Sequence, residues 1–194
     1  MEKEKGYIQV YTGDGKGKTT AAIGLAVRAA GAGKKICIIQ FMKSLAYSEQ
    51  KILQTLPGVT LITCGKPYFI AKEGMFSEEQ LRRWGDAVTV YPAGHPPQEY
   101  RDLILHGIEE AVKAVSGDYD VVILDEYNMA CWYDLATDDD TRRILSARRP
   151  EVELIFTGRN APQLLLDAAD LITEMKKVRH YYDRGVQARK GVED

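Results

Sequence analysis

Apolar positions along this chain fall into two periods. Short runs rich in Val, Ile, Leu, Phe and Tyr recur at residues 7–11, 36–41, 59–63, 121–124, 152–156 and, more weakly, 171–174. Most are continuously apolar rather than alternating, as strands covered on both faces are. The stretches between them carry helical signals. Residues 18–30 are rich in Ala and Leu with almost no polar face, which predicts a helix buried against a sheet. Ser77 and Gln80 form a capping box opening a helix with Leu81, Trp84 and Val88 on one side. Tyr100, Ile104, Gly107, Ile108, Ala111 and Val115 keep helical spacing across residues 99–115. Thr137, followed by three aspartates, caps another helix that Pro150 terminates, and Asn160 and Pro162 open a last one. Residues 91–97, with three prolines and a glycine, predict a turn or loop. Strands alternating with helices imply right-handed crossovers, a mostly parallel six-stranded sheet and an open α/β sandwich.

Composition narrows the class. The chain has 194 residues, 26 Lys+Arg against 28 Asp+Glu, a net charge of −2 and 45% hydrophobic residues. That length predicts a single domain over residues 1–194, with loose ends at 1–5 and 183–194. The balance of charge argues against a disordered chain and against a basic nucleic-acid binder. No apolar run approaches the roughly 20 residues of a membrane helix, and the charged start leads straight into the first strand without a secretory signal. Cys37, Cys64 and Cys131 are odd in number and widely spaced, which suits a reducing cytosol. The expectation is a soluble cytoplasmic α/β domain.

Two segments carry candidate chemistry. Directly after the first strand stand Thr12-Gly13-Asp14-Gly15-Lys16-Gly17-Lys18-Thr19-Thr20, opening a helix. Glycines there let backbone N–H groups turn inward, and the helix N-terminus adds partial positive charge, so the segment suits phosphate. Lys18 can reach the outer phosphates and the Thr19 hydroxyl can ligate Mg²⁺. The strict Walker A pattern asks for Gly where this chain has Thr12, so the loop is a variant. The second segment, Val121-Val122-Ile123-Leu124-Asp125-Glu126, is an apolar strand ending in two acids. At the carboxyl end of a parallel strand such acids face the ligand crevice, where one can hold Mg²⁺ and the other orient a ligand. Together the segments indicate a nucleoside triphosphate and magnesium. They leave open whether phosphorus or carbon is attacked.

Three separated blocks resemble one known family. They are residues 7–43, with Gly13 to Thr20 and Gln40-Phe41-Met42-Lys43 as fixed points; residues 120–128, reading DVVILDEYN; and residues 154–194, containing Thr157-Gly158-Arg159-Asn160-Ala161-Pro162, His180 and Gly185-Val186-Gln187-Ala188-Arg189. Across nearly its whole length the chain is similar to the P-loop ATP:corrinoid adenosyltransferases. The resemblance implies a P-loop NTPase-like (RecA-like) three-layer sandwich and transfer of the 5′-deoxyadenosyl group of ATP to Co(I) of a reduced corrinoid, with triphosphate leaving. It further implies a homodimer, and a reductase or flavoprotein supplying the electron.

By motif position, Gly13, Asp14, Gly15, Lys16, Gly17, Lys18, Thr19 and Thr20 would form the ATP loop, with Lys18, Thr19 and Glu126 as the catalytic group. Thr19 and Glu126 would hold Mg²⁺, and Arg28 and Arg159 would contact nucleotide. Tyr68 and Phe69 occupy the place of family aromatics that crowd the lower face of cobalt and hold it four-coordinate, although the family's Trp is missing here. The alternative reading of that pair is core packing. Lys43 ends a strand and reads as a surface lysine, and Trp84 as a core residue of its helix. Two other functions stay open: a P-loop ATPase or phosphotransferase, and a nucleotide or corrinoid carrier without turnover.

Overall fold

The computed structural model describes residues 4–193. Residues 1–3 and 194, parts of the two expected loose ends, lie outside them. All six expected strands form: β1 (Ile8–Thr12), β2 (Ile36–Phe41), β3 (Val59–Cys64), β6 (Val121–Asp125), β7 (Glu153–Thr157) and β8 (Leu171–Glu174). They make one sheet in the order β3-β2-β6-β7-β1-β8, and every pairing is parallel. The helices are α1 (Lys18–Gly31), α2 (Ser48–Leu53), α3 (Glu78–Trp84), α4 (Gln98–Ser116), α5 (Tyr127–Trp132), α6 (Asp138–Ala147) and α7 (Gln163–Ala168).

The period of two along each strand sorts side chains into two cores. Ile36 and Ile38 of β2 and Val121 and Ile123 of β6 pack with Ala22, Ala26 and Ala29 of α1. Ile39, Phe41, Val122 and Leu124 face the other way, onto Tyr100, Ile104 and Ile108 of α4. Layers of helix, sheet and helix result, the P-loop sandwich that the sequence implies. At Gly107, α4 lies so close to the sheet that an added Cβ would stand 2.8 Å from both Cys64 Sγ and Phe41 Cε1.

Three local expectations change. Beyond Lys18 at its start, only the stripe Ala22, Ala26, Ala29 of α1 is buried, and Val27 on its outer face is 49% exposed. The sheet covers one side of that helix, so the helix is amphipathic by position rather than by composition. Helix α3 begins at the expected Ser77 cap but ends at Trp84, because Gly85 turns left-handed (φ 52°). Val88 therefore lies in a strand instead. A small parallel pair, β4 (Phe69–Lys72) with β5 (Val88–Tyr91), stands apart from the main sheet. Tyr91 Oη ties it down by donating to Tyr133 O at 2.7 Å. Trp84 belongs to this subunit of structure: its ring meets Phe69 and Phe76 edge-on, at 5.1 and 4.7 Å.

Candidate active site at the carboxyl edge of the sheet

The loop between β1 and α1 lies where the central strands end. Thr12 needs no glycine's freedom, because it is still a strand residue paired with Glu174 of β8. The left-handed turn comes one residue later, at Gly13 (φ 97°), where a Cβ would stand 2.5 Å from Met175 O. Met175, just beyond β8, pins the loop: its N–H donates to Thr12 O at 2.8 Å and its carbonyl accepts from Gly15 N at 2.6 Å. The Lys18 ammonium is tucked inside, donating to Gly13 O at 2.7 Å and Gly15 O at 2.8 Å. Burial lowers its pKa, with Glu126 opposing the shift and Arg159 adding to it.

Asp125 is the electrostatic centre. Its Oδ1 accepts from Thr157 Oγ1 (2.7 Å) and Thr19 Oγ1 (2.9 Å). Its Oδ2 accepts from Lys43 Nζ (2.8 Å) and Gln40 Nε2 (3.1 Å). Gln50 completes the shell by donating to Gln40 Oε1 at 2.8 Å. Burial alone would raise this carboxyl, but the Lys43 ammonium and the hydroxyl donors outweigh it and hold the pKa down. Glu126 is pushed the other way, raised by burial and by the neighbouring Asp125 charge. Its backbone is left-handed (φ 60°), and its N–H donates to Thr157 Oγ1 at 3.0 Å. That bend ends β6, and Glu126, unlike Asp125, lines the neighbouring cavity.

Lys43 is thus not a surface residue. Met42 adopts a left-handed turn (φ 60°) after β2, and the Lys43 side chain is only 12% exposed, paired with Asp125 and 3.9 Å from Glu49. Its ammonium also lies 3.4 Å from Thr19 Oγ1. Nothing in the local sequence distinguishes a strand-ending lysine from a solvated one; the signal was its place opposite the acidic strand.

Beside these groups lies a cavity of about 650 Å³. The loop from Asp14 to Thr20, Lys43, Glu126 and Arg159 all line it, so most of the expected nucleotide-side residues converge. Arg28 does not. It sits in the last turn of α1, exposed and about 15 Å along the axis from Lys18 at roughly 1.5 Å per residue. His180, Gly191, Val192 and Glu193 from the C-terminal segment form another wall. Tyr68 and Phe69 lie outside this lining. Tyr68 Oη donates to Glu99 Oε1 at 2.6 Å and its ring meets Tyr100 edge-on, while Phe69 is 38% exposed on β4. Cys131 and Trp132 belong to α5 and line a second cavity of about 420 Å³ with Asn160 and Pro162.

Comparison with known proteins agrees with this geometry. The family model of ATP:corrinoid adenosyltransferases BtuR/CobO/CobP matches residues 4–193. The corrinoid adenosyltransferase CobA of Salmonella typhimurium is 32% identical over 192 residues, covering 99% of this chain and 87% of that one. The corrinoid adenosyltransferase of Escherichia coli is 31% identical over the same shares of the two chains. That of Pseudomonas aeruginosa is 30% identical, over 98% of this chain and 84% of its own. Matched along almost its entire length, this chain belongs to the ATP:corrinoid adenosyltransferase family.

Proposed function

We propose that the protein transfers the 5′-deoxyadenosyl group of ATP to Co(I) of a reduced corrinoid, in a magnesium-dependent reaction. The observation that carries this reading is the meeting of the phosphate loop, Lys18, Glu126 and Arg159 around one cavity in a chain of this family. The electron pair of Co(I) forms the new bond to C5′, the C5′–O bond breaks, and its electrons leave on the triphosphate oxygen. The developing charge is therefore on the leaving group. Lys18, Arg159 and the N–H groups of the first turn of α1 are the cations and donors that stabilise it.

The donor set fits a hard divalent cation. Thr19 Oγ1 lies 2.9 Å from Asp125 Oδ1, and Glu126 follows Asp125 at the cavity wall, so these oxygens suit Mg²⁺. Thr19 and Glu126 would hold it, with Asp125 orienting the Thr19 hydroxyl; when bound, it adds positive charge to the leaving triphosphate. Tyr68 and Phe69 are assigned to the corrinoid's lower face. The working unit is a cytoplasmic homodimer supplied with electrons by a reductase or flavoprotein. No helix among the described residues is long and apolar enough to cross a membrane.

The test is triphosphate release over a magnesium titration, with Thr19→Ala and Glu126→Gln alongside. Both variants should require more magnesium for half-maximal rate. Equal turnover in chelator removes the metal from the account. Orthophosphate as product without cobalt alkylation would instead establish a P-loop ATPase.

A further inference from the structure

The C-terminal segment ends in a charge cluster that the reaction above does not use. Glu193 collects donors from three directions. Arg189 gives it its backbone N–H (2.9 Å), Nε (3.2 Å) and Nη2 (3.1 Å), Lys16 gives it Nζ (3.0 Å), and Tyr181 gives it Oη. Lys16 also donates to Val192 O at 2.8 Å and to Tyr181 Oη at 3.3 Å. The Arg189 guanidinium lies over the Tyr181 ring, 5.0 Å from its centroid, which fixes the plane of its fork. Glu193 is 15% exposed although it lies near the end of the chain.

Lys16 is a residue of the phosphate loop, and Glu193 lines the same cavity as Lys18 and Thr19. A guanidinium fork, an ammonium and a phenol around one carboxylate make a donor set that equally suits phosphate oxygens. A triphosphate in this loop would bring several negative charges beside an ionised carboxylate, so the two compete for the same cations.

We propose that Lys16, Arg189 and Tyr181 form an anion seat beside the phosphate loop, that Glu193 occupies it, and that the free end of a bound triphosphate displaces Glu193. Arg189 is then a triphosphate ligand delivered by the C-terminal segment. The strong hydrogen bonds from Arg189 hold the Glu193 carboxyl well below the ordinary range, so the occupant is charged at neutral pH. The proposal rests on the nucleotide reading above.

Equilibrium binding of MgATP, tripolyphosphate and AMP to the wild type, Glu193→Gln, Arg189→Ala and Arg189→Lys tests it. Removing the competing charge in Glu193→Gln should tighten MgATP and tripolyphosphate up to about fivefold. Arg189→Ala should weaken both by about tenfold or more, with partial rescue in Arg189→Lys. AMP, which lacks the outer phosphates, should be unaffected by all three. Unchanged or weaker triphosphate binding in Glu193→Gln overturns the exchange, and so does a change of the same size for AMP. Wild-type protein that binds no MgATP overturns the nucleotide reading itself.

Discussion

Asp125 shows how one carboxylate can hold a site together. It is 1% exposed and pairs with the Lys43 ammonium, so Asp125→Asn leaves a buried cation without its nearest counter-charge. The expected cost is about 3–5 kcal/mol, or a melting temperature lower by roughly 6–20 °C. The sign with pH follows from the depressed pKa. The carboxylate's contribution is present above its unfolded value of about 3.9 and is lost as pH falls through the folded value. The gap between variant and wild type should therefore shrink in acid; thermal unfolding from pH 7 to pH 3 checks both statements, and a constant gap contradicts them. The thiols behave differently. Burial pushes Cys37 and Cys131 up to about 12 and Cys64 up to about 11, so all three stay protonated at neutral pH. Iodoacetamide at pH 8 should label the native protein far more slowly than the unfolded chain, and rapid native labelling would contradict that burial. Among single residues, Lys18, Thr19 and Glu126 were legible because a loop or strand context surrounds them. Lys43 was not, because its role depends on Met42 turning left-handed toward an acid more than eighty positions away.

At the scale of elements, the central strands β2, β6 and β7 could be read directly, since runs buried on both faces leave a continuous apolar signature, whereas the edge strand β8, exposed along its length, leaves only a weak run. The pair β4 and β5 could not. Each has four residues, and Val88 was absorbed into the helical spacing of Leu81 and Trp84 until Gly85 broke it. Packing tightness was equally hidden: Gly107 keeps helical spacing like its neighbours, yet only the folded structure shows Cys64 and Phe41 against it. Gly107→Val should cost about 1–3 kcal/mol through overpacking, read as a lower denaturation midpoint; stability equal to wild type would mean that α4 can shift outward. The small sheet carries Phe69, which the proposed function sets against the corrinoid. Phe69→Ala should impair capture and reduction of Co(II) corrinoid more than turnover of pre-formed Co(I). Equal losses with both cobalt states would make the Phe69–Trp84 contact a packing feature only.

For the molecule as a whole, the parallel sheet brings ends of the chain that are distant in sequence to one edge. The loop after β1 is pinned by Met175 beyond β8, and its Lys16 is met by Glu193. This is why the resemblance in the first, middle and last blocks converges on a single cavity, and why the C-terminal segment, which composition alone suggests is a loose end, becomes a wall of it. The central claim is that carbon, not phosphorus, is attacked in this cavity. The direct measurement is anaerobic: protein, MgATP and chemically reduced cob(I)alamin are mixed, the cobalt spectrum is followed, and the phosphorus product is identified, with Lys18→Ala as the control. The account predicts loss of Co(I) absorbance with one triphosphate released per cobalt alkylated, and a rate lower by orders of magnitude in Lys18→Ala. Orthophosphate released without cobalt alkylation, or undiminished turnover in Lys18→Ala, would contradict it.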